Sequence, residues 1–167
     1  MSPDFTVQAA LVTPLVGAIL IAFTGRWPNL RETITLVTAV ILFSLVASLY
    51  PHVMDGGRPS FVTGEMLPGL PIAFLVEPLG LLFALIASFL WIINSLYSIG
   101  YMRAHHEKNQ TRFYVCFAIA LASAVAIAFA GNMMTLFVFY EALTISTYPL
   151  VTHAGTDKAK RGGRVYL

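Results

Sequence analysis

The chain has 167 residues, of which 57% are hydrophobic and 11% charged, against roughly 25% charged in ordinary soluble domains. That composition excludes a soluble enzyme and places the chain in a lipid bilayer, and its net charge of +2 gives no case for binding nucleic acid. Cys116 is the only cysteine and lies in an apolar run, so it forms no intrachain disulfide and reads as a small buried hydrophobe.

The apolar residues fall into blocks about 20 long, the length an α-helix needs to cross a hydrocarbon core of about 30 Å. An all-α integral membrane fold follows, with five transmembrane helices and the start of a sixth. The first span is predicted over 6–25. Its amino terminus, Met1-Ser-Pro-Asp-Phe5, carries no Lys or Arg, and no small-residue cleavage pattern follows, so the block reads as a permanent span and not a signal peptide. Pro14 and Gly17 interrupt it, and Pro14 is a candidate kink. The polar stretch Arg26-Trp-Pro-Asn-Leu-Arg-Glu32 reads as a short turn into the second span, predicted over 33–50.

The stretch from Pro51 to Phe74 includes Asp55-Gly-Gly-Arg-Pro59 and Leu67-Pro-Gly-Leu-Pro71. It reads as turns with room for a short hairpin, and as a solvated connector without chemistry. The third span, over 77–102, opens on Glu77-Pro78, where proline suits the first helical turn and a carboxylate favours the helix dipole. Glu77 is therefore read as a helix cap, with the end of an ion pathway as the alternative. Asn94 lies mid-span and reads as an interhelical hydrogen bond. The fourth span, over 113–130, repeats small residues at Ala118, Ala122, Ala126 and Ala130, with a second row at Ala120, Ala124 and Ala128. Such rows mean close helix packing before they mean a pore wall. Gly131-Asn132 leaves only a short turn before the fifth span, over 133–151, so these two helices should be antiparallel neighbours.

Nine of the ten Lys and Arg residues lie on one side of this arrangement, after spans one, three and five; Arg58 lies on the other. By the positive-inside bias the basic loops are cytoplasmic and the amino terminus faces outward. The four histidines, His52, His105, His106 and His153, fall at span ends or in loops on both sides, which reads as solvated loop residues and not as a metal or haem site.

Glu141 is the one ionisable carboxylate or base inside the fifth apolar run. An ionised group at that depth costs several kcal/mol unless paired or hydrated, so such residues mark proton or ion pathways. Thr144 and Tyr148 follow at i+3 and i+7 and share its face as candidate polar lining. Pro149 withholds a donor from the carbonyl of Ile145, which should kink or fray the helix one turn beyond the carboxylate and leave room for water. A glutamate whose charge depends on a mobile proton or a nearby cation is a two-state electrostatic switch. The competing reading is a protonated Glu141 hydrogen-bonded across helices.

The stretches Val76-Glu-Pro-Leu-Gly-Leu-Leu-Phe83, Tyr97-Ser-Ile-Gly-Tyr-Met102, Asn132-Met-Met-Thr-Leu-Phe-Val-Phe-Tyr-Glu141 and Ser146-Thr-Tyr-Pro-Leu-Val151 resemble the amino-terminal part of the antiporter-like subunits. These are the membrane subunits shared by respiratory complex I, membrane-bound hydrogenases and Mrp-type cation:proton antiporters, and the chain resembles the D-type Mrp protein most. The resemblance implies proton translocation in the cell membrane, with other membrane subunits as partners, protons and candidate sodium as cargo, and no redox cofactor in this chain. It places the family's functional glutamate on Glu141, to be paired with a lysine on a seventh span that this chain does not contain. It puts Glu77 where relatives often have aspartate, and no motif of the family falls on His153.

The chain ends at Arg164-Val-Tyr-Leu167 as a sixth helix begins, so residues 1–167 read as the amino-terminal part of a longer antiporter-like domain, whether by truncation, as a fragment or as one piece of a split subunit. The expected function is that portion of a proton-translocating subunit, with Glu141 as a buried protonation switch. The alternative is a small membrane scaffold or assembly subunit without transport of its own. A small homodimeric exporter of cationic substrates is disfavoured, because Tyr140 and Tyr148 are too few to cage a cation.

Overall fold

The computed structural model describes residues 2–166, apart from the side chains at positions 67, 158 and 160. Helix α1 spans Pro3–Phe23 and starts three residues before the predicted span, because Ser2 caps it: the Ser2 hydroxyl accepts from the Phe5 amide at 3.4 Å and Pro3 occupies the first turn. Helix α2, Pro28–Met54, starts five residues early for a different reason. Pro28 fits its first turn, and Arg31 and Glu32, expected in a polar turn, are helical and almost fully buried at 4% exposure each. Both α1 and α2 run on past their internal prolines, Pro14 and Pro51.

The predicted connector is an antiparallel hairpin of β1, Ser60–Leu67, and β2, Leu70–Leu75, with Gly69 at φ +81° in the turn. Its ends are fastened to the helices. The Ser60 amide donates to Asp4 Oδ1 at 2.9 Å, the Gly131 amide donates to the Ala73 carbonyl at 2.8 Å, and the Leu75 amide donates to the Phe129 carbonyl at 2.8 Å. The hairpin is a roof over one end of the helices, which a free connector would not be.

Helix α3 spans Pro78–Ala104, α4 spans Gln110–Ala128, α5 spans Met133–Val151 and α6 spans Asp157–Tyr166. The five long helices alternate in direction, so one end of the molecule carries the hairpin and the other carries the basic loops. They are the five that are long and apolar enough to cross a membrane among the described residues. The buried residues of α3, Leu81, Ala84, Ser88, Trp91, Ser95, Ser98 and Met102, alternate steps of three and four. Thr35, Ala39, Leu42, Val46, Leu49 and Val53 of α2 follow the same rhythm, so α2 and α3 meet along a coiled-coil-like seam.

Helix α4 is central, packing on α1, α3 and α5 with Ala118, Ala122 and Ala126 buried, which is the close approach their spacing predicts. Gly80 serves the same end, since a side chain there would collide with the carbonyl of Ala128. Helix α5 is a flank. Only Thr135 and Ser146 along it are buried, and α6 turns back along its basic-end half.

Asn132 carries the turn between α4 and α5. Its Oδ1 accepts from the Thr135 amide at 2.8 Å, capping α5, and its Nδ2 donates to the Pro71 carbonyl at 2.7 Å, holding the hairpin. Asn132→Ala should lower the unfolding free energy by about 1–2 kcal/mol, the worth of a cap plus one part-buried hydrogen bond. Reversible unfolding in mixed micelles measures it, and hydrogen exchange at Gly131 should quicken in the same variant.

Candidate functional site

The predicted site lies on α5, a helix started by the Asn132 cap and ended by a turn at Thr152. Thr135, Phe139 and Ser146 face the core, with the Phe139 ring 5.6 Å from that of Phe74. At 100° per residue this choice of inner face turns Glu141 outward. The carboxylate is exposed, and among the described residues it has no hydrogen bond and no ion pair. Within this chain the carboxylate stands about 12 Å from the start of α5, on a face rimmed by Phe137, Tyr140 and Ile145 that the other described helices leave uncovered.

Thr144 stands one turn beyond Glu141, its hydroxyl donating to the Tyr140 carbonyl at 3.1 Å. Tyr148 lies further towards the basic end, where α6 covers it: a side chain at Gly163 would collide with Tyr148 and Thr152. Thr147 was not singled out from the sequence, and its side chain bonds to α6, with its hydroxyl 2.9 Å from that of Tyr166. Only a helix that folds back could reveal that pair. Helix α5 continues through Pro149 for two more residues, so the break expected there falls at the helix end.

Glu77 occupies the N-cap position of α3, but its side chain is exposed and makes no capping hydrogen bond; the backbone carbonyl alone closes the first turn, accepting from the Leu81 amide at 2.9 Å. It sits at the hairpin end on a helix that packs on α2 and α4, so it does not join Glu141. His52, His105 and His106 are exposed, whereas His153 departs from the solvated-loop reading. Both His153 ring nitrogens are buried without a partner among the described residues, and the ring stands edge-on to Phe113 at 5.6 Å. Among the described residues no three histidine, cysteine or acidic side chains gather as metal ligands.

Sequence reasoning missed a buried ionic cluster at the basic end. Arg31 donates to Gln110 Oε1 at 2.7 Å and Thr111 Oγ1 at 3.1 Å, approaches Glu32 Oε1 at 3.4 Å, and lies over the Tyr114 ring at 5.2 Å from its centroid. Arg103 closes the other side, its Nε donating to Glu32 Oε1 at 3.2 Å and its Nη2 pairing with Glu32 Oε2 and Asn29. Gln110 returns a donor to the Met102 carbonyl at 3.2 Å. One carboxylate and two guanidinium groups thus bind together the ends of α2, α3 and α4. The readable trace was that Glu32, Thr35, Ala39 and Leu42 continue the buried spacing of α2 past the apparent turn.

Residues 68–114 match the family profile described as NADH-Ubiquinone oxidoreductase (complex I), chain 5 N-terminus. Over 148 residues the chain is 28% identical to the A-type protein of the Na(+)/H(+) antiporter of Alkalihalophilus pseudofirmus, covering 86% of this chain and 18% of that protein. It is 24% identical over 161 residues to the L-type protein of the NADH-quinone oxidoreductase of Escherichia coli, covering 88% of this chain and 25% of that protein. Its fold is similar to a chain of the membrane-bound sulfane sulfur reductase, an archaeal respiratory membrane complex, with a TM-score of 0.82 at 19% identity, over 96% of this chain and 33% of that one. The chain thus spans about a fifth of the length of the curated relatives it matches. The antiporter relative here is of the A type, so the resemblance stands at the level of the family and the D-type assignment is not carried forward.

Proposed function

We propose that this chain, a relative of the antiporter-like membrane subunits of complex I and of multisubunit cation:proton antiporters, forms the amino-terminal spans of a proton-translocating membrane subunit. In this reading the basic end faces the cytoplasm, the hairpin end faces outward, and the membrane is the cell membrane.

The observation that carries the proposal is the placement of Glu141. A charged carboxylate halfway along a span and turned away from its own bundle is untenable against lipid tails, where it would cost several kcal/mol. Its face is therefore a contact with further membrane helices. The carboxylate alternates between two states there: ionised when a cation approaches, protonated when the cation withdraws. That alternation takes up and releases the proton that the subunit moves.

The assembly containing this chain should carry coupled proton movement in proteoliposomes, read with a pH-sensitive dye. Omitting the chain should leave the other subunits associated but without that movement. Collapse of the whole assembly on omission would instead favour the scaffold role.

A further inference from the structure

The α5–α6 contact adds a second element to this site, and it rests on the reading of Glu141 as the protonation switch. Glu141, Thr144 and Thr147 follow one another at three-residue steps, so their side chains are neighbours along one helix ridge, each step rising about 4.5 Å. The Thr147 hydroxyl ends the row 2.9 Å from the Tyr166 hydroxyl of α6, in a pair where either oxygen can be the donor, and when Tyr166 donates, the Thr147 proton goes to the carbonyl of Leu143 or Thr144, each 3.0 Å away. Tyr166 is half exposed, and it stands on the side of Glu141 nearer the basic end. Gly163 lets α6 lie against Tyr148 and Thr152 below that pair.

We infer that protons reach Glu141 from the basic end along this α5–α6 groove, with the Tyr166–Thr147 hydroxyl pair as the transfer point and Thr144 as the last hydroxyl before the carboxylate. The chemistry needs no charged intermediate. Each hydroxyl accepts a proton on a lone pair while releasing its own to the next, bridging water carries the steps between side chains, and the carboxylate takes the final proton. The pair suits this because its hydrogen bond can run in either direction, so it can reset after each transfer. His153 stands apart from the row: its ring faces Phe113 of α4.

The test uses the intact assembly in proteoliposomes, with Glu141→Gln measured alongside. Thr147→Val keeps the side-chain shape and removes the hydroxyl, whereas Thr147→Ser keeps the hydroxyl and removes the methyl. Tyr166→Phe removes the other hydroxyl alone. Proton flux should fall about a hundredfold in Thr147→Val and in Tyr166→Phe, the lower end of the range for a lost proton-transfer group, and stay within about twofold of the parent in Thr147→Ser. The double variant should be no slower than either single one, because the two hydroxyls act in series.

The opposite pattern, with the valine variant active and the serine variant impaired, would make the contact one of packing and overturn the relay. Unchanged flux in both hydroxyl-deleted variants would overturn it as well, as would loss of assembly in all three. The two readings fail separately: normal flux in Glu141→Gln removes the switch itself, whereas an inactive Glu141→Gln beside fully active hydroxyl variants removes only this route.

Discussion

Glu32→Ala is expected to be among the most destabilising single substitutions in this chain, lowering the unfolding free energy by about 3–5 kcal/mol, the usual consequence of removing one partner from a buried ion pair. The reason is what it leaves behind. Arg31 is 4% exposed, and without Glu32 its guanidinium keeps only the neutral Gln110 and Thr111 and the Tyr114 ring as partners. Its Nε already lacks an acceptor among the described residues. Arg103→Ala should cost less, because the Arg103 side chain is half exposed and the remaining Arg31–Glu32 pair stays balanced. Replacing Arg31 and Glu32 together by leucine should recover part of the loss, since no unpaired charge is then buried. Reversible unfolding of the full chain in mixed micelles measures all three. A loss under about 1 kcal/mol for Glu32→Ala would mean that water solvates the cluster.

Glu141→Gln should behave in the reverse way, leaving the fold intact and removing function. The exposed carboxylate has no hydrogen bond or ion pair among the described residues, so its neutral isostere breaks no contact within the bundle, and unfolding should be unchanged within about 0.5 kcal/mol. Coupled proton movement by the assembly should fall by about a hundredfold or more, because an amide cannot take up and release the proton. Glu141→Asp should retain part of the activity, since it keeps the acid and shortens its reach. Full activity in Glu141→Gln with an intact assembly would remove the switch and leave the carboxylate a structural role. Contrasting the two glutamates separates a fold residue from a functional one, although both are carboxylates on apolar helices.

The periodic parts of the molecule were readable. The alanine rows of α4 implied close packing, and α4 is the helix around which α1, α3 and α5 gather. Gly131-Asn132 implied that α4 and α5 lie antiparallel, and they do, with Asn132 as the cap. Errors gathered where local composition and tertiary partners disagree. Arg31 and Glu32 look like turn residues because charges seldom enter a span, yet they pair with each other and take further partners some seventy to eighty positions away: Arg103 on Glu32, and the neutral hydrogen-bond acceptors Gln110 and Thr111 on Arg31. The segment from Pro51 to Phe74 looks like a loose connector because prolines and glycines dominate it. The backbone bonds of β2 to Phe129 and Gly131 make it part of the fold.

By itself the sequence determined the membrane class, the number and alternating direction of the long helices, and the presence of one carboxylate deep in the fifth. These follow from hydrophobic length and charge, which act locally along the chain. Only the tertiary structure decided which side of α5 meets the core, and hence that Glu141 points away from it while Thr147 meets Tyr166. Polar residues occur on both sides of α5, with Thr135 and Ser146 on one and Glu141 and Thr144 on the other, so no periodicity singles out the inner face. Packing against α4 and the hairpin makes that choice. Thr135 is fully buried there, its hydroxyl accepting from the Ala73 amide at 2.9 Å, and that partner lies 62 residues away along the chain.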